Sequence, residues 1–196
     1  MKYKFIFIVS MLLATATSIT AQDTGSFTDA RDGKVYKTIT IGKQTWMAEN
    51  LAYKMPGACW PYDNNETHTK TYGYLYDWEN AKKAAPAGWH LPSEDEWNKL
   101  TKFLGGNFDG GEKLKAKNTG GTGRSNGTDE SGFNGLPAGR YAAGKFEGIG
   151  NYWVWWTSSS RGKLLAHSRS MEFSQYWVGE QLLLKENGHS VRCVKD

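Results

Sequence analysis

The chain has 196 residues, of which 39% are hydrophobic, 14% aromatic and 22% charged, and its net charge is +4. The aromatic content excludes a disordered chain, and two cysteines are too few for a disulfide-dense scaffold. The length predicts one domain. Basic residues are scattered along the chain rather than clustered, which argues against nucleic acid as a partner.

The first segment is typical of a secretory signal peptide. Lys2 and Lys4 precede an apolar run over residues 5–13, and small residues follow up to a predicted cleavage site after Ala21. The run is shorter than the roughly 20 residues of a membrane span, and no cysteine follows it as a lipid attachment site. Residues 1–21 therefore predict an exported protein that is periplasmic, on the outer surface or secreted, that is not a lipoprotein, and that has no membrane span after cleavage.

The start of the mature chain predicts a hairpin after a flexible segment. Residues 22–30 are small and polar and predict a flexible lead-in, so we expect the single domain over residues 31–196. Val35–Ile41 reads as a strand, and Gln44–Met47 as the returning strand. Gly42-Lys43 between them suits a two-residue turn, because glycine supplies the positive φ of its first central position.

Two helices are predicted in the middle of the chain. Residues 74–84 carry apolar side chains at three-residue spacing. The second helix begins at a capping box of Ser93 and Glu96. Trp97 lies on its apolar face and is expected in the core, and Gly105-Gly106 ends it.

The remaining segments are predicted loops and strands. Residues 54–71 and 105–135 are rich in turn-forming residues, which predicts loops. Further strands are predicted at residues 152–157, 164–173, 182–184 and 190–194. Strands, helices, loops and strands in this order indicate an α+β fold rather than alternating β–α units.

The sequence contains no signature of a familiar catalytic or metal site. HExxH, CxxC and GxSxG motifs are absent, as are phosphate-binding and dinucleotide-binding glycine loops. Residues 63–66 contain acidic and amide side chains, but they lack the spacing of a calcium loop. We therefore expect no metal and no cofactor, and we favour a protein that is not an enzyme.

The aromatic residues and the cysteines are the remaining candidates. Residues 152–156 contain three tryptophans, and burial in the core is the favoured interpretation. Four aromatic residues in polar, turn-rich segments are candidates for ligand binding, with coverage of the core edge as the alternative: Trp60, Tyr62, Tyr176 and Trp177. Cys59 and Cys193 are the only cysteines, and export permits either a disulfide between them or two separate thiols.

Several segments together resemble the Fibrobacter succinogenes major paralogous domain family. The resemblance rests on residues 29–53 (DARDGKVYKTITIGKQTWMAENLAY), 72–76 (YGYLY), 88–93 (GWHLPS) with Glu96-Trp97, 132–139 (GFNGLPAG), 156–158 (WTS) and 190–194 (SVRCV). It covers nearly all of residues 29–196 in order. The family is typical of exported bacterial proteins, so the resemblance also implies export.

The segment GWHLPSEDEW, residues 88–97, is similar to the helix entry of formylglycine-generating enzymes, a variant of the C-type lectin fold. That resemblance implies a twisted antiparallel sheet, two helices and a long loop region, here residues 105–150, that carries the ligand site. Cys193 lacks the nearby cysteine with which those enzymes bind copper, and the sugar-binding motifs of calcium-dependent lectins are absent. We therefore expect a binding or interaction module for an extracellular glycan or protein, with an enzyme of unknown reaction on the same scaffold as the alternative.

Overall fold

The computed structural model describes residues 23–196, so the predicted signal peptide lies outside the described residues. The strands are β1 (Asp23–Thr28), β2 (Val35–Ile41), β3 (Gln44–Met47), β4 (Cys59–Trp60), β5 (Leu75–Tyr76), β6 (Trp89–His90), β7 (Ala138–Ala142), β8 (Lys145–Ile149), β9 (Tyr152–Arg161), β10 (Leu165–Glu172), β11 (Gly179–Leu184) and β12 (Val194–Lys195). The helices are α1 (Thr69–Tyr72), α2 (Trp78–Lys83), α3 (Glu94–Phe103) and α4 (Asn107–Leu114). This mixture of strands and short helices confirms the predicted α+β class.

The strands form several antiparallel sheets. The largest has the order β1-β2-β3-β12-β6, and a second has the order β11-β10-β9. The pairs β4–β5 and β7–β8 are separate two-stranded sheets. Four sheets and four α-helices are therefore found in residues 23–196, where one sheet and two helices were expected. No helix in this part of the chain is long and apolar enough to cross a membrane.

The hairpin of β2 and β3 forms as predicted. The two strands pair from Thr38↔Met47 to Ile41↔Gln44, and Gly42 at the turn has a φ of 63°. In β2, Tyr36, Thr38, Ile39 and Ile41 are buried, so both faces of the strand contact the protein interior.

The predicted flexible lead-in is wrong for residues 23–28, because they form strand β1. All six residues pair with β2, from Asp23↔Thr40 to Thr28↔Val35. Phe27 stacks on the ring of Trp89, with 4.5 Å between the ring centroids. The small polar side chains of β1 lie on an exposed edge, so their composition resembles that of a coil although tertiary pairing holds them in a strand.

Helix α3 is positioned by the predicted capping box. The Ser93 hydroxyl accepts a hydrogen bond from the Glu96 amide at 3.3 Å, and the Ser93 amide donates to the Glu96 carboxylate at 2.7 Å. The backbone amides at the start of a helix have no partner within the helix. The capping box satisfies two of these amides, those of Ser93 and Glu96. Trp97 and Leu100 are fully buried on the inner face of the helix, which confirms the predicted core position of Trp97.

The first predicted helix and the predicted loop over residues 105–135 also differ in the structure. Residues 75–76 form strand β5 rather than helix, and α2 begins only after Asp77, whose side chain accepts from the Asn80 amide. Residues 107–114 form helix α4 inside the segment predicted as loop. Gly110 and Gly111 lower its intrinsic helix propensity, but both glycines are buried and packing overrides that preference.

The tryptophan-rich strand β9 forms the centre of the molecule. Trp153, Trp155 and Trp156 are at most 1% exposed, so both faces of β9 are buried. Trp156 packs in one apolar cluster with Tyr76 and Leu51, whereas Trp153 and Trp155 pack in a second cluster. These residues are core, as predicted, and are not available to a ligand.

Candidate functional site

Two rings from different sheets stack at the surface. The indole of Trp60 in β4 and the phenol ring of Tyr141 in β7 have centroids 4.4 Å apart and an interplanar angle of 26°. Gly188 lies against both, joined to Tyr141 by backbone hydrogen bonds of 2.7 and 2.9 Å. A Cβ at Gly188 would lie 2.9 Å from the indole and 3.0 Å from Tyr141 Cβ, so only glycine leaves room for the stack.

The β7–β8 hairpin extends this pair of rings. Phe146 in β8 contacts Tyr141 with a centroid separation of 4.9 Å, and it contacts Tyr62 at 5.4 Å. Tyr62 follows β4 and is 6% exposed. Its hydroxyl accepts a hydrogen bond from the Ile149 amide at 3.4 Å, which holds the loop against the hairpin.

Two further rings continue past Tyr62. His68 lies 5.9 Å from Tyr62, and Tyr72 stacks on His68 at 6.1 Å, measured between ring centroids. Six rings in consecutive contact therefore form one feature, which we name the aromatic row: Trp60, Tyr141, Phe146, Tyr62, His68 and Tyr72. All members except Tyr62 are partly exposed to solvent.

Polar side chains are neighbours in sequence of several rings of the aromatic row. Arg140 in β7 forms an ion pair with Glu147 in β8 at 2.8 Å, and its guanidinium lies 5.1 Å from the ring centroid of Tyr152. Asp63 and Asn64 are exposed on the loop after Tyr62, with φ values of 54° and 55°. Because Arg140 alternates with Tyr141 along β7, and Glu147 with Phe146 along β8, this ion pair lies on the face of the hairpin opposite the rings.

Glu66 lies in the helical turn before α1 that also contains His68. Lys54 forms an ion pair with it at 2.6 Å, and the Tyr74 hydroxyl donates to its other oxygen at 2.5 Å. These two hydrogen bonds, led by that from Lys54, lower the pKa of Glu66. The carboxylate is thus held ionised and is already engaged, so it is not a free general base.

The two cysteines are free thiols, and both are buried. Burial raises the pKa of Cys59 to about 11 and that of Cys193 to about 12. Both belong to the apolar cluster around Tyr76. A neutral thiol is a weak nucleophile and a weak metal ligand, so neither cysteine has the chemistry of a catalytic residue.

Tyr176 and Trp177 lie in a second aromatic group. Tyr176 contacts Phe108 of α4 with a centroid separation of 6.5 Å, and its ring is perpendicular to that of Trp177. The Arg124 guanidinium lies 4.5 Å from the Tyr176 centroid. Within residues 23–196 no ring contact connects this group to the aromatic row, so the four predicted residues divide into two pairs rather than one surface.

Lys115 fixes the loop that precedes this second group. Its ammonium is fully buried and donates to the carbonyls of Ser125 at 3.1 Å, Glu172 at 2.7 Å and Gln175 at 2.5 Å. Burial lowers the pKa of Lys115 to about 8. Tyr176 follows the last of these carbonyls, so Lys115 holds the backbone next to it in place.

Sequence reasoning missed four members of the aromatic row: His68, Tyr72, Tyr141 and Phe146. Tyr141 and Phe146 fall within residues 105–150, which were expected to carry the ligand site. The sequence signal available for this hairpin was a pair of short segments, β7 and β8, separated by the two turn residues Ala143-Gly144. Within residues 23–196 no group of three His, Cys, Asp or Glu side chains is placed to hold a metal ion.

Comparison with known proteins identifies one family. The model of the Fibrobacter succinogenes major domain matches residues 39–195, which contain the whole aromatic row and every strand from β3 to β12. A search of curated proteins and a search of solved structures found no match to this chain. The chain therefore belongs to the Fibrobacter succinogenes major domain family.

Proposed function

We propose that the protein is an exported, non-enzymatic binding module whose aromatic row binds an extracellular glycan. The observation that carries this proposal is the unbroken contact of six rings, five of which reach solvent. Export rests on the signal-peptide pattern of residues 1–21, and a C-type-lectin-like scaffold remains part of the same proposal.

A row of rings suits a chain of sugars. The axial C–H groups of a pyranose form an apolar face that packs against the electron-rich face of an aromatic ring. Because aromatic side chains have few rotatable bonds, a ligand that stacks on them freezes little side-chain entropy. The rings of the aromatic row are also held by one another, which reduces that entropy cost further.

Polar side chains that follow Tyr62 supply hydrogen bonds that a sugar needs. Asp63 and Asn64 are exposed there and present a carboxylate and an amide. Planar bidentate groups such as these match pairs of neighbouring hydroxyls in a sugar ring. The alternative of an enzyme requires titratable groups that converge on a substrate. Here Glu66 is already engaged by Lys54 and Tyr74, which favours binding.

A glycan array tests the proposal. The purified protein is compared with Trp60→Ala and Tyr141→Ala on an array that includes plant, bacterial and host glycans. We expect the wild type to bind at least one oligosaccharide and each variant to bind it at least tenfold more weakly. Phe108→Ala is the matched control, because Phe108 is an exposed ring outside the aromatic row.

Three results would count against this function. Absence of glycan binding by the wild type, with capture of a single protein from the outer-membrane fraction, would favour a protein partner. Equal glycan binding by Trp60→Ala and the wild type would move the site elsewhere. Turnover of a bound oligosaccharide would favour the enzyme.

A further inference from the structure

A cleft lies between the β2–β3 hairpin turn and the outer face of α3. Its volume is about 630 Å³, which is in the range of small-molecule sites. Ile41, Gly42, Lys43 and Gln44 form one wall. The Gln44 amide donates to the Glu96 carbonyl of α3 at 3.2 Å, so the two walls are tied together.

The other wall consists of three residues on one face of α3. Lys99, Lys102 and Phe103 are spaced by three and four residues, which places their side chains side by side along a helix. The Phe103 side chain is 63% exposed. A Cβ at Gly42 would lie 2.9 Å from its ring, so the missing side chain at the turn lets the ring pack against the hairpin.

The charges around this cleft are unbalanced. Lys43, Lys99 and Lys102 are all exposed, and none of them forms an ion pair within residues 23–196. No acidic side chain lines the cleft. Like charges at close helical spacing repel each other, so three ammonium groups around one depression favour an anion between them.

We propose that this cleft binds a small amphipathic anion, a free molecule with an apolar body and one sulfonate, carboxylate or phosphate group. Ile41 and Phe103 would contact the apolar body, and the three ammonium groups would hold the anion. Gly42 and Gln44 keep the walls in place in the absence of a ligand. The assignment is independent of the aromatic row, which lies on other elements.

Fluorescence titration with 8-anilinonaphthalene-1-sulfonate tests the proposal, because this probe joins an aromatic body to one sulfonate. Uncharged N-phenyl-1-naphthylamine is the matched probe. We expect one sulfonate probe bound per chain, and the triple variant Lys43→Gln, Lys99→Gln, Lys102→Gln to bind it at least tenfold more weakly. The same variant should bind the uncharged probe within twofold of the wild type.

The control is a second triple variant with the same loss of charge: Lys70→Gln, Lys117→Gln, Lys145→Gln. These lysines are exposed and lie outside the cleft. We expect it to bind the sulfonate probe like the wild type, as should Trp60→Ala. Equal weakening by both triple variants would overturn the proposal, because the effect would then come from net charge. The protein could also sediment with phosphatidylglycerol vesicles, and lose this binding in the cleft variant but not in the control variant. That result would overturn the proposal in favour of a lipid surface.

Discussion

Trp60 and Tyr141 stack at a centroid distance of 4.4 Å although they belong to different two-stranded sheets. Neither sheet is large enough to be stable alone in water. The stack, which packs against Gly188, therefore helps to hold β4–β5 against β7–β8. The same two rings are the first two members of the aromatic row. A surface that is part of such a junction is preorganised, so a ligand does not have to order it.

The capped helix α3 offers a stability test within one element. Trp97→Ala should lower the free energy of unfolding by roughly 3–5 kcal/mol, because the indole is fully buried and its removal leaves a cavity. Phe103→Ala on the same helix should cost less than about 1 kcal/mol, because that ring is largely exposed. Urea unfolding measures both values. Equal midpoints for the wild type and Trp97→Ala would mean that the helix does not pack as described.

Adjacent glycines in α4 should respond in opposite directions. A Cβ at Gly110 meets only ordinary contacts of 3.8 Å or longer, so Gly110→Ala should stabilise the protein by about 0.5–1 kcal/mol. A Cβ at Gly111 would overlap the Tyr176 carbonyl, so Gly111→Ala should destabilise it by about 1–3 kcal/mol. Thermal unfolding of the two variants checks the difference, and stabilisation by both would show that α4 does not approach Tyr176.

Two histidines should shape the pH dependence of stability with opposite signs. His189 is fully buried, and burial lowers its pKa to about 3. As the pH falls, His189 therefore binds a proton near pH 6.5 in the unfolded chain but only near pH 3 in the folded chain. Stability should fall by up to about 1.4 kcal/mol per pH unit as the pH drops from about 6.5 towards 3.

The sign is reversed for His90, which hydrogen-bonds to Asp196 at 2.6 Å and to Glu96 at 2.8 Å. Burial opposes the change, but these carboxylates raise the pKa of His90 overall. Its contribution is present below about pH 6.5 and is lost as the pH rises through the raised pKa. Denaturation from pH 4 to 8 should show a flatter acid limb for His189→Phe. His90→Gln should instead lose the fall in stability above about pH 6.5. Identical profiles for both variants would contradict these assignments.

The cysteines make a chemical prediction. Because burial raises the pKa of both thiols, 5,5′-dithiobis(2-nitrobenzoic acid) should not react with the native protein at pH 8. The denatured, unreduced protein should release two equivalents of chromophore, one from each free cysteine. Release of none after denaturation would instead establish a disulfide between Cys59 and Cys193.

Local patterns predicted what depends on near neighbours in the sequence. The Ser93–Glu96 box and the Gly42 turn involve residues within one turn of each other, so α3 and the β2–β3 hairpin were visible before the structure. β1 has no comparable local signal, because its small polar residues become a strand only by pairing with β2. Helix α4 was hidden by Gly110 and Gly111, and of the two only Gly111 closely approaches another segment.

For the same reason, the sequence predicted only part of the aromatic row. Trp60 and Tyr62 stand out as aromatic residues in a turn-rich segment, but their neighbours Tyr141 and Phe146 come from a distant hairpin. Tyr176 and Trp177 have the same sequence context as Trp60, yet the structure places them beside α4. Composition around a ring indicates exposure, whereas tertiary contacts decide which rings share a surface.

The most direct test of the aromatic row is the ¹H–¹⁵N spectrum of the tryptophan indoles during titration with the oligosaccharide bound best on the array. The chain has nine tryptophans, and each gives one indole N–H signal that single Trp→Phe variants assign. We predict that the Trp60 signal shifts in proportion to ligand bound, while the signals of Trp177 and of the buried Trp97 and Trp153 stay in place. A shift of the Trp177 signal with an unmoved Trp60 signal would contradict the account and place the ligand beside α4.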